Sequence, residues 1–132
     1  MDTLRVGLVA ERSLLVTESD TAHSLRSGAA RVFATPRMIG LIETAAVAAV
    51  DPLLQPGTYT VGIRVDVRHL AATPVGARVT AHAELIQIDG RRLVFRVRAE
   101  DSGGVVGEGM HERYVVDGER FMARAHARIG GT

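Results

Sequence analysis

The architecture follows from the segment Thr35-Pro-Arg-Met-Ile-Gly-Leu-Ile-Glu-Thr-Ala-Ala-Val-Ala-Ala-Val-Asp-Pro52 of this 132-residue chain. Thr35 and Pro36 have the form of a helix N-cap followed by proline at the first helical position, where a missing N–H costs nothing. Asp51-Pro52 ends the pattern about four turns later. We therefore predict one helix from about Pro36 to Val50.

A single carboxylate, Glu43, stands inside this helix. Its helical neighbours three and four positions away are Ile39, Gly40, Ala46 and Val47. Because apolar residues surround the helix axis, the helix is expected to be buried on most sides. A buried ionised side chain costs several kcal/mol unless a partner compensates for it. We therefore predict that Glu43 is buried and that it is catalytic.

The sequence from residue 58 onward alternates in the manner of β-strands. The predicted strands are Thr58–Leu70, Val75–Ile88, Arg91–Asp101 and Val105–Asp117. Asp89-Gly90 is a strong signal for a two-residue hairpin turn, and Ser102-Gly-Gly104 predicts another turn. Two shorter apolar stretches, Leu4–Ala10 and Ser13–Thr17, predict an N-terminal hairpin. The polar segment Glu18–Ala30 predicts a loop or lid.

A thin apolar helix followed by an antiparallel meander is accommodated economically when the sheet curls around the helix. We therefore predict an α+β fold of the hotdog type, formed by residues 1–132 as a single domain. The alternative is a plain α+β sandwich, which leaves the far side of the helix exposed. A curved sheet of this kind leaves one edge and part of the helix uncovered, which predicts a side-by-side homodimer.

His69 is the second polar candidate. In Val61-Gly-Ile-Arg-Val-Asp-Val-Arg-His69 the odd positions before the histidine are apolar, so parity puts His69 on the face that looks at the helix. A lone histidine on such a face is more often a structural core residue than a catalyst. A glutamate on the facing helix favours the functional interpretation. The remaining histidines, which we interpret as exposed or structural, are His23, His82, His111 and His126.

The composition excludes several classes of function. The chain has 16 basic residues, all arginine, and 15 acidic ones, and no basic stripe indicates a nucleic-acid partner. Cysteine is absent, and no histidine pair has zinc-ligand spacing beside a carboxylate, so neither a metal nor another cofactor is expected. No segment resembles a targeting signal or reaches the roughly 18 apolar residues of a membrane span. We expect a cytoplasmic protein with a small-molecule partner and no membrane partner.

Five short motifs occur in order across about residues 32 to 121. They are Val32-Phe-Ala-Thr35, Met38-Ile-Gly-Leu-Ile-Glu43, Arg68-His-Leu-Ala-Ala-Thr-Pro-Val-Gly76, Gly90-Arg-Arg-Leu93 and Gly107-Glu-Gly-Met-His-Glu-Arg113. Together, with nearly matched spacing, they resemble the fluoroacetyl-CoA thioesterase family of hotdog proteins. The resemblance implies hydrolysis of an acyl-CoA thioester. It also implies a catalytic set of Thr35, Glu43 and His69, and a pocket lined by Gly62 and Arg113.

These side chains suit thioester hydrolysis, because a thiol with a pKa of about 8.5 leaves as thiolate with little acid assistance. Glu43 either attacks the carbonyl or acts as general base for water. Thr35 either hydrogen-bonds Glu43 or the substrate, or only caps the helix. His69 acts as a base or orients water. Gly62 either admits an oxyanion to backbone N–H groups or marks a bulge, and Arg113 either contacts substrate or forms a structural ion pair.

Three departures from the family pattern concern the substrate. Residues Thr21–Ala30 contain no aromatic side chain where the fluoroacetyl enzyme has gating aromatics, Thr44 replaces a tryptophan, and Pro36-Arg37 replaces Gly-Phe. These differences predict a small acyl group other than fluoroacetyl. Two alternatives come from other classes. One is a hydratase or dehydratase, for which no Asp-centred motif occurs, and the other is a non-catalytic module that binds acyl-CoA or another small ligand.

Overall fold

A computed structural model describes residues 4–130 of the chain. Its elements in chain order are β1 (Val9–Leu15), α1 (Thr35–Val50), β2 (Thr58–His69), β3 (Arg78–Asp89), β4 (Arg92–Asp101), β5 (Gly104–Asp117) and α2 (Gly118–Arg128). The strands form one antiparallel sheet in the order β1-β3-β4-β5-β2, and α1 packs against it. The predicted long helix and antiparallel meander are confirmed.

One side of α1 contributes to the hydrophobic core. Its buried residues are Met38, Ile42, Ala45, Ala46, Ala49 and Val50. They share one cluster with larger side chains of the sheet, among them the fully buried Leu85, Leu93 and Phe95. Since three of the six helix residues are alanine, the large residues of the sheet fill the space between the two layers, as close packing requires.

The opposite side of α1 stays uncovered in the protomer. Gly40 and Val47 are half-buried, and Thr44 is exposed. β2 forms one edge of the sheet, where Ile63 and Val65 are 51% and 40% exposed. The prediction that α1 is buried on most sides therefore holds only for the side that faces the sheet. The prediction that part of the helix and one sheet edge stay uncovered agrees with the structure.

The start of α1 differs from the prediction by one residue. The N-cap is Ala34, and Thr35 is the first helical residue, with no capping hydrogen bond from a side chain. The prediction that Thr35 caps the helix is therefore wrong. Pro36, which follows, carries no N–H, so the first turn has one fewer donor that needs a cap. The hydroxyl of Thr35 is left for another partner.

A β-bulge in β2 changes the side-chain parity on which the sequence analysis relied. The pairing with β5 shifts register between Gly62 and Arg64, so Ile63 has no partner opposite it. Before the bulge the even positions face α1, and after it the odd positions do, down to His69. His69 thus faces α1 as predicted. Val61 and Ile63 do not share its face, because the extra residue reverses the alternation.

The predicted N-terminal hairpin is wrong. Val9–Leu15 forms one continuous strand along β3, with Val9 opposite Glu84 and Leu15 opposite Arg78. The edge of β3 provides backbone hydrogen-bond partners for all seven residues of β1. A tight hairpin within so short a segment would leave some of them without a pairing partner. The sequence analysis also missed α2, whose N-cap Asp117 accepts a hydrogen bond from the Arg120 N–H.

The segment predicted as a loop, Glu18–Ala30, is irregular apart from a short 3-10 turn at Glu18–Asp20 and an isolated bridge. Both ends are fixed to the protein. Asp20 Oδ2 accepts a hydrogen bond from the Thr17 N–H at 2.8 Å, and Thr21 bridges Phe33. The middle of the segment is exposed and carries Leu25 to the uncovered side of α1.

Candidate active site

The beginning of α1 meets the end of β2 through a hydrogen-bonded pair. Thr35 Oγ1 lies 2.7 Å from His69 Nδ1. His69 Nε2 is buried and makes no hydrogen bond among residues 4–130. Burial lowers the pKa of His69 from its ordinary value of 6.5, and the backbone of Ala71 opposes that shift only in part. Near neutral pH the pair therefore consists of a hydroxyl and an uncharged imidazole.

The carboxylate of Glu43 pairs with Arg113 of β5. Glu43 Oε2 lies 3.5 Å from Arg113 Nη1, where the arginine side chain is 7% exposed and the glutamate side chain 40%. The prediction that Glu43 is buried is therefore wrong for the protomer, because Glu43 borders the uncovered side of α1. Of the two roles predicted for Arg113, the ion pair is present.

Arg113 is held in place by further hydrogen bonds. Its Nε donates to Thr60 Oγ1 at 2.8 Å and its Nη2 donates to the Thr60 carbonyl at 3.0 Å. The Thr60 hydroxyl in turn donates to Asp51 Oδ1 at 2.6 Å, just after α1 ends. Burial lowers the pKa of Arg113, while the negative charges of Glu43 and Asp51 oppose this. The guanidinium remains charged and fixed.

Gly62 lies where these side chains converge. A Cβ at this position would be 2.8 Å from Glu43 Oε2 and 3.3 Å from Arg113 Nη1. A glycine here therefore lets the end of the Glu43 side chain approach β2, while the expected contact of a substrate oxyanion with backbone N–H groups beside Gly62 stays a prediction. The bulge interpretation also holds, because the register shift follows directly after this residue.

The five predicted residues form two groups rather than one. Thr35 and His69 make the first group, and Gly62, Glu43 and Arg113 make the second. Thr35 and Glu43 are eight positions apart on α1, which corresponds to about 12 Å along the helix axis. One thioester carbonyl cannot touch both groups of a single protomer without a rearrangement.

Two adjoining clefts follow the uncovered side of α1. The first, of about 540 Å³, contains Glu43 and Arg113 together with Arg12, Gly40, Thr44, Val47, Ala48, Asp51 and Pro52. The second, of about 530 Å³, is lined by Leu14, Leu25, Pro36, Arg37, Gly40, Leu41 and Thr44. Gly40 and Thr44 line both clefts. Because Gly40 has no side chain and that of Thr44 is small, the polar first cleft is continuous with the apolar second one.

A larger cleft on another face, of about 820 Å³, contains none of the candidate residues. It lies against β1, β3, β4 and β5, where His82 faces Glu11 and Glu100 at 3.2 and 3.0 Å. Across residues 4–130, no group of three or more His, Cys, Asp or Glu side chains is arranged to hold a metal ion.

The chain matches known proteins along most of its length. The model of the fluoroacetyl-CoA-specific thioesterase family matches residues 16–119. The chain belongs to this family. Within it, the curated fluoroacetyl-CoA thioesterase of Streptantibioticus cattleyicolor is 46% identical over 97 residues, which cover 74% of this chain and 70% of the relative. The family resemblance of the sequence motifs is thereby confirmed.

Solved structures of similar proteins give the same assignment. A crystal structure of a variant of the fluoroacetyl-CoA-specific thioesterase matches with a TM-score of 0.90 at 40% identity and covers 97% of this chain and 99% of its own. A hot-dog-like protein from Thermanaerovibrio acidaminovorans matches with a TM-score of 0.90 at 30% identity, covering 99% and 97%. The predicted hotdog fold is confirmed, and so is the enzyme class, a hydrolase of thioester bonds.

The thioesterase family model ends close to the start of α2. In the part of the chain that the structure describes, neither α1 nor α2 is long and apolar enough to cross a membrane. The cytoplasmic location remains a prediction.

Three residues around Arg113 were not among the predicted site residues. Thr60 and Asp51 fix the guanidinium, and His111, interpreted as structural, contacts it through Nε2 at 3.2 Å. The sequence shows that these three residues are polar, but only the pairing of β2 with β5 brings them together around Arg113. His111 precedes Arg113 by two positions on β5, so shared parity was the one available signal.

Proposed function

We propose that this protein is an acyl-CoA thioesterase that hydrolyses a small acyl-CoA to the free acid and CoA, with Thr35, Glu43 and His69 as its catalytic residues. The observation that carries the proposal is the partly exposed carboxylate of Glu43, which a buried arginine holds at the mouth of a cleft. Family membership supports the thioester substrate, because the curated relative acts on fluoroacetyl-CoA.

In this mechanism Glu43 starts the attack on the thioester carbonyl carbon. As general base it takes a proton from water while the water oxygen bonds to the carbonyl carbon. As nucleophile it forms a mixed anhydride that water then cleaves. In both routes the carbon–sulfur bond breaks and CoA leaves as thiolate. The general-base route puts the water oxygen in the product acid, whereas cleavage of the anhydride at the Glu43 carbonyl puts it in Glu43 and leaves a former Glu43 oxygen in the acid. Backbone N–H groups at the bulge beside Gly62 stabilise the oxyanion.

The two routes differ in where labelled oxygen goes. In a single turnover in H₂¹⁸O with excess enzyme, a nucleophilic Glu43 whose anhydride water cleaves at the Glu43 carbonyl takes the label into its own carboxylate and passes an unlabelled oxygen to the product acid. A general base leaves the Glu43 peptide unlabelled while the product acid carries ¹⁸O. Mass spectrometry of the peptide containing Glu43 separates these outcomes.

The Thr35–His69 pair serves the substrate carbonyl or the attacking water. His69 is uncharged near pH 7, because burial lowers its pKa. An uncharged imidazole whose Nδ1 engages the Thr35 hydroxyl keeps a second ring nitrogen, Nε2, without a hydrogen-bond partner among residues 4–130, and a water molecule or the substrate would bond it once the atoms that cover it move aside.

We also propose that the protein is a homodimer formed through the uncovered side of α1 and the β2 edge. Exposed apolar residues there, Ile63 and Val65, become buried in such an interface. A two-fold axis perpendicular to α1 makes the paired elements antiparallel, which brings the Thr35–His69 group of one subunit towards the Glu43 group of the other. This arrangement solves the separation of about 12 Å within one protomer.

Complementation tests whether each site is shared. Glu43→Gln and His69→Ala chains, each inactive alone, are unfolded together and refolded as a mixture. Shared sites give one intact site in each heterodimer, so thiol release recovers to about a quarter of the wild-type rate. Sites contained within single chains give no recovery, and a monomeric mass by light scattering contradicts the dimer itself.

The substrate proposal is tested by thiol release across short, branched and aromatic acyl-CoAs. We expect turnover of a small acyl group, with fluoroacetyl-CoA not preferred, since Thr21–Ala30 offers no aromatic gate. Glu43→Gln, Thr35→Ala and His69→Ala each lower kcat by about 100-fold or more. CoA binding without thiol release from any acyl-CoA would instead identify a non-catalytic binding module. Full activity of Glu43→Gln would remove Glu43 from the mechanism.

A further inference from the structure

His111 of β5 is an imidazole with no exposed surface, two residues before Arg113 on the same face of the strand. Both ring nitrogens have partners. Nδ1 lies 2.8 Å from the carbonyl oxygen of Arg64, and Nε2 lies 3.2 Å from Arg113 Nη1. The thioesterase mechanism proposed above gives this residue no role.

The two partners fix the protonation of His111. A carbonyl oxygen only accepts hydrogen bonds, so Nδ1 carries the proton and donates to Arg64. A guanidinium only donates, so Nε2 accepts from Arg113 through its lone pair. A second proton on the ring would point an N–H at the positively charged Arg113. Burial, and then the charge of Arg113, lower the pKa of His111, while the Arg64 carbonyl and the charges of Glu43 and Glu112 oppose this.

The contacts form a chain that ends at the candidate catalytic carboxylate. The Arg64 carbonyl borders the β2 bulge and orients the imidazole. The imidazole accepts from the same nitrogen, Arg113 Nη1, that lies 3.5 Å from Glu43 Oε2. Thr60 holds the other nitrogens of the guanidinium but not Nη1. Among residues 4–130, His111 and Glu43 are therefore the two side chains that accept a hydrogen bond from Arg113 Nη1.

We propose that His111 is a positioning residue, which acts as a neutral hydrogen-bond acceptor to aim Arg113 Nη1 at Glu43 and so sets the direction of the catalytic carboxylate. This inference rests on the proposed role of Glu43. It differs from a purely structural role, in which the ring only fills space beside Phe95, 6.2 Å away between ring centroids.

Two substitutions separate these roles. His111→Gln keeps an acceptor for Arg113 and a donor for Arg64, whereas His111→Leu keeps bulk without either. We expect His111→Leu to lower kcat by about tenfold to a hundredfold with a nearly unchanged KM, because a displacement of about 1 Å at a reacting group costs that much. His111→Gln is expected to recover most of the lost kcat. A structural role predicts a fall in Tm for both variants and an unchanged kcat.

Coupling gives a second readout. If His111 acts through Arg113, adding His111→Leu to Arg113→Lys causes little further loss of kcat, and independent losses that multiply contradict the proposal. Should His111→Leu fail to fold, ¹⁵N NMR of the wild-type ring decides, since both nitrogens protonated at pH 6.5 would overturn it. Thiol release by the wild-type enzyme is measured first: its absence refutes the proposed function, whereas wild-type activity that survives in His111→Leu refutes only the positioning role.

Discussion

At the scale of single residues, the site depends on an absent side chain as much as on its charges. Glu43, Arg113 and His111 all lie within 3.4 Å of the place where a Cβ of residue 62 would be. The sequence already indicated Glu43, because a carboxylate in an apolar helix was expected to be buried. The structure gives a different reason for its position. The Glu43 side chain is 40% exposed and its carboxylate is paired with Arg113, so its position gives access to the cleft and is not a case of burial without compensation.

Gly62→Ala tests this crowding. The new methyl group displaces the end of the Glu43 side chain, which moves more cheaply than backbone, so we expect kcat to fall by about tenfold to a hundredfold. The Tm should change little. Gly103→Ala, a matched glycine substitution in the exposed turn before β5, should leave both quantities unchanged. Wild-type kcat in Gly62→Ala would show that the carboxylate does not need its observed position.

At the scale of secondary structure, the sequence predicted which helices and strands are present better than it predicted how the strands pair. The capping and proline signals located α1 within one residue, and alternation located β2 to β5 within a few residues. The bulge after Gly62 was one of the two interpretations of that glycine, whereas the pairing of β1 with β3 and the helix α2 were missed. The missed features depend on a ladder partner or a docking surface that lies far away in the chain, so local patterning carried little signal for them.

The hydrogen bonds that link Asp51, Thr60 and Arg113 are expected to stabilise the fold as well as the site. Thr60→Val keeps the shape of the side chain but removes the acceptor of Arg113 Nε and the donor to Asp51. We expect the free energy of unfolding to fall by about 1–3 kcal/mol and kcat to fall as Arg113 loosens. Thr60→Ser, which retains the hydroxyl, should recover most of both. Urea denaturation and thiol release measure the two effects.

The missed helix α2 is anchored by one aromatic contact. Phe121 meets Tyr59 of β2 edge to face, with ring centroids 6.5 Å apart. Phe121→Ala should lower the free energy of unfolding by about 1 kcal/mol without changing kcat, because neither ring reaches the clefts beside α1. Met122→Ala, at an exposed position on the same helix, is the control and should change stability less. An equal loss in both variants would mean that the ring contact does not anchor α2.

At the scale of the whole molecule, the two site histidines link stability to pH. His69 and His111 both have pKa values lowered from 6.5, mainly by burial. Between those lowered values and 6.5 the unfolded chain binds more protons than the folded chain. Stability therefore rises with pH across this window and is lost as the pH falls through it.

Urea denaturation at a series of pH values from 7.5 down to 5 tests this linkage. The wild-type free energy of unfolding should decline below pH 6.5, and His111→Gln, which has no group that titrates there, should decline less steeply. A His111→Gln slope equal to that of the wild type would mean that the buried imidazole gains its proton without opposing folding.

The bulge in β2 also constrains how this protein can change in length. Gly62 and His69 are seven positions apart, an odd number, and yet both face α1, because the extra residue at position 63 restores their phase. Deleting Ile63 would leave them six positions apart, an even number, so a regular strand without the bulge would keep both on the α1 face, whereas inserting one residue there would turn either His69 or Gly62 away from α1. Insertion of a single residue between Gly62 and His69 should therefore abolish activity, whereas deletion of Ile63 removes the bulge without changing which residues face α1.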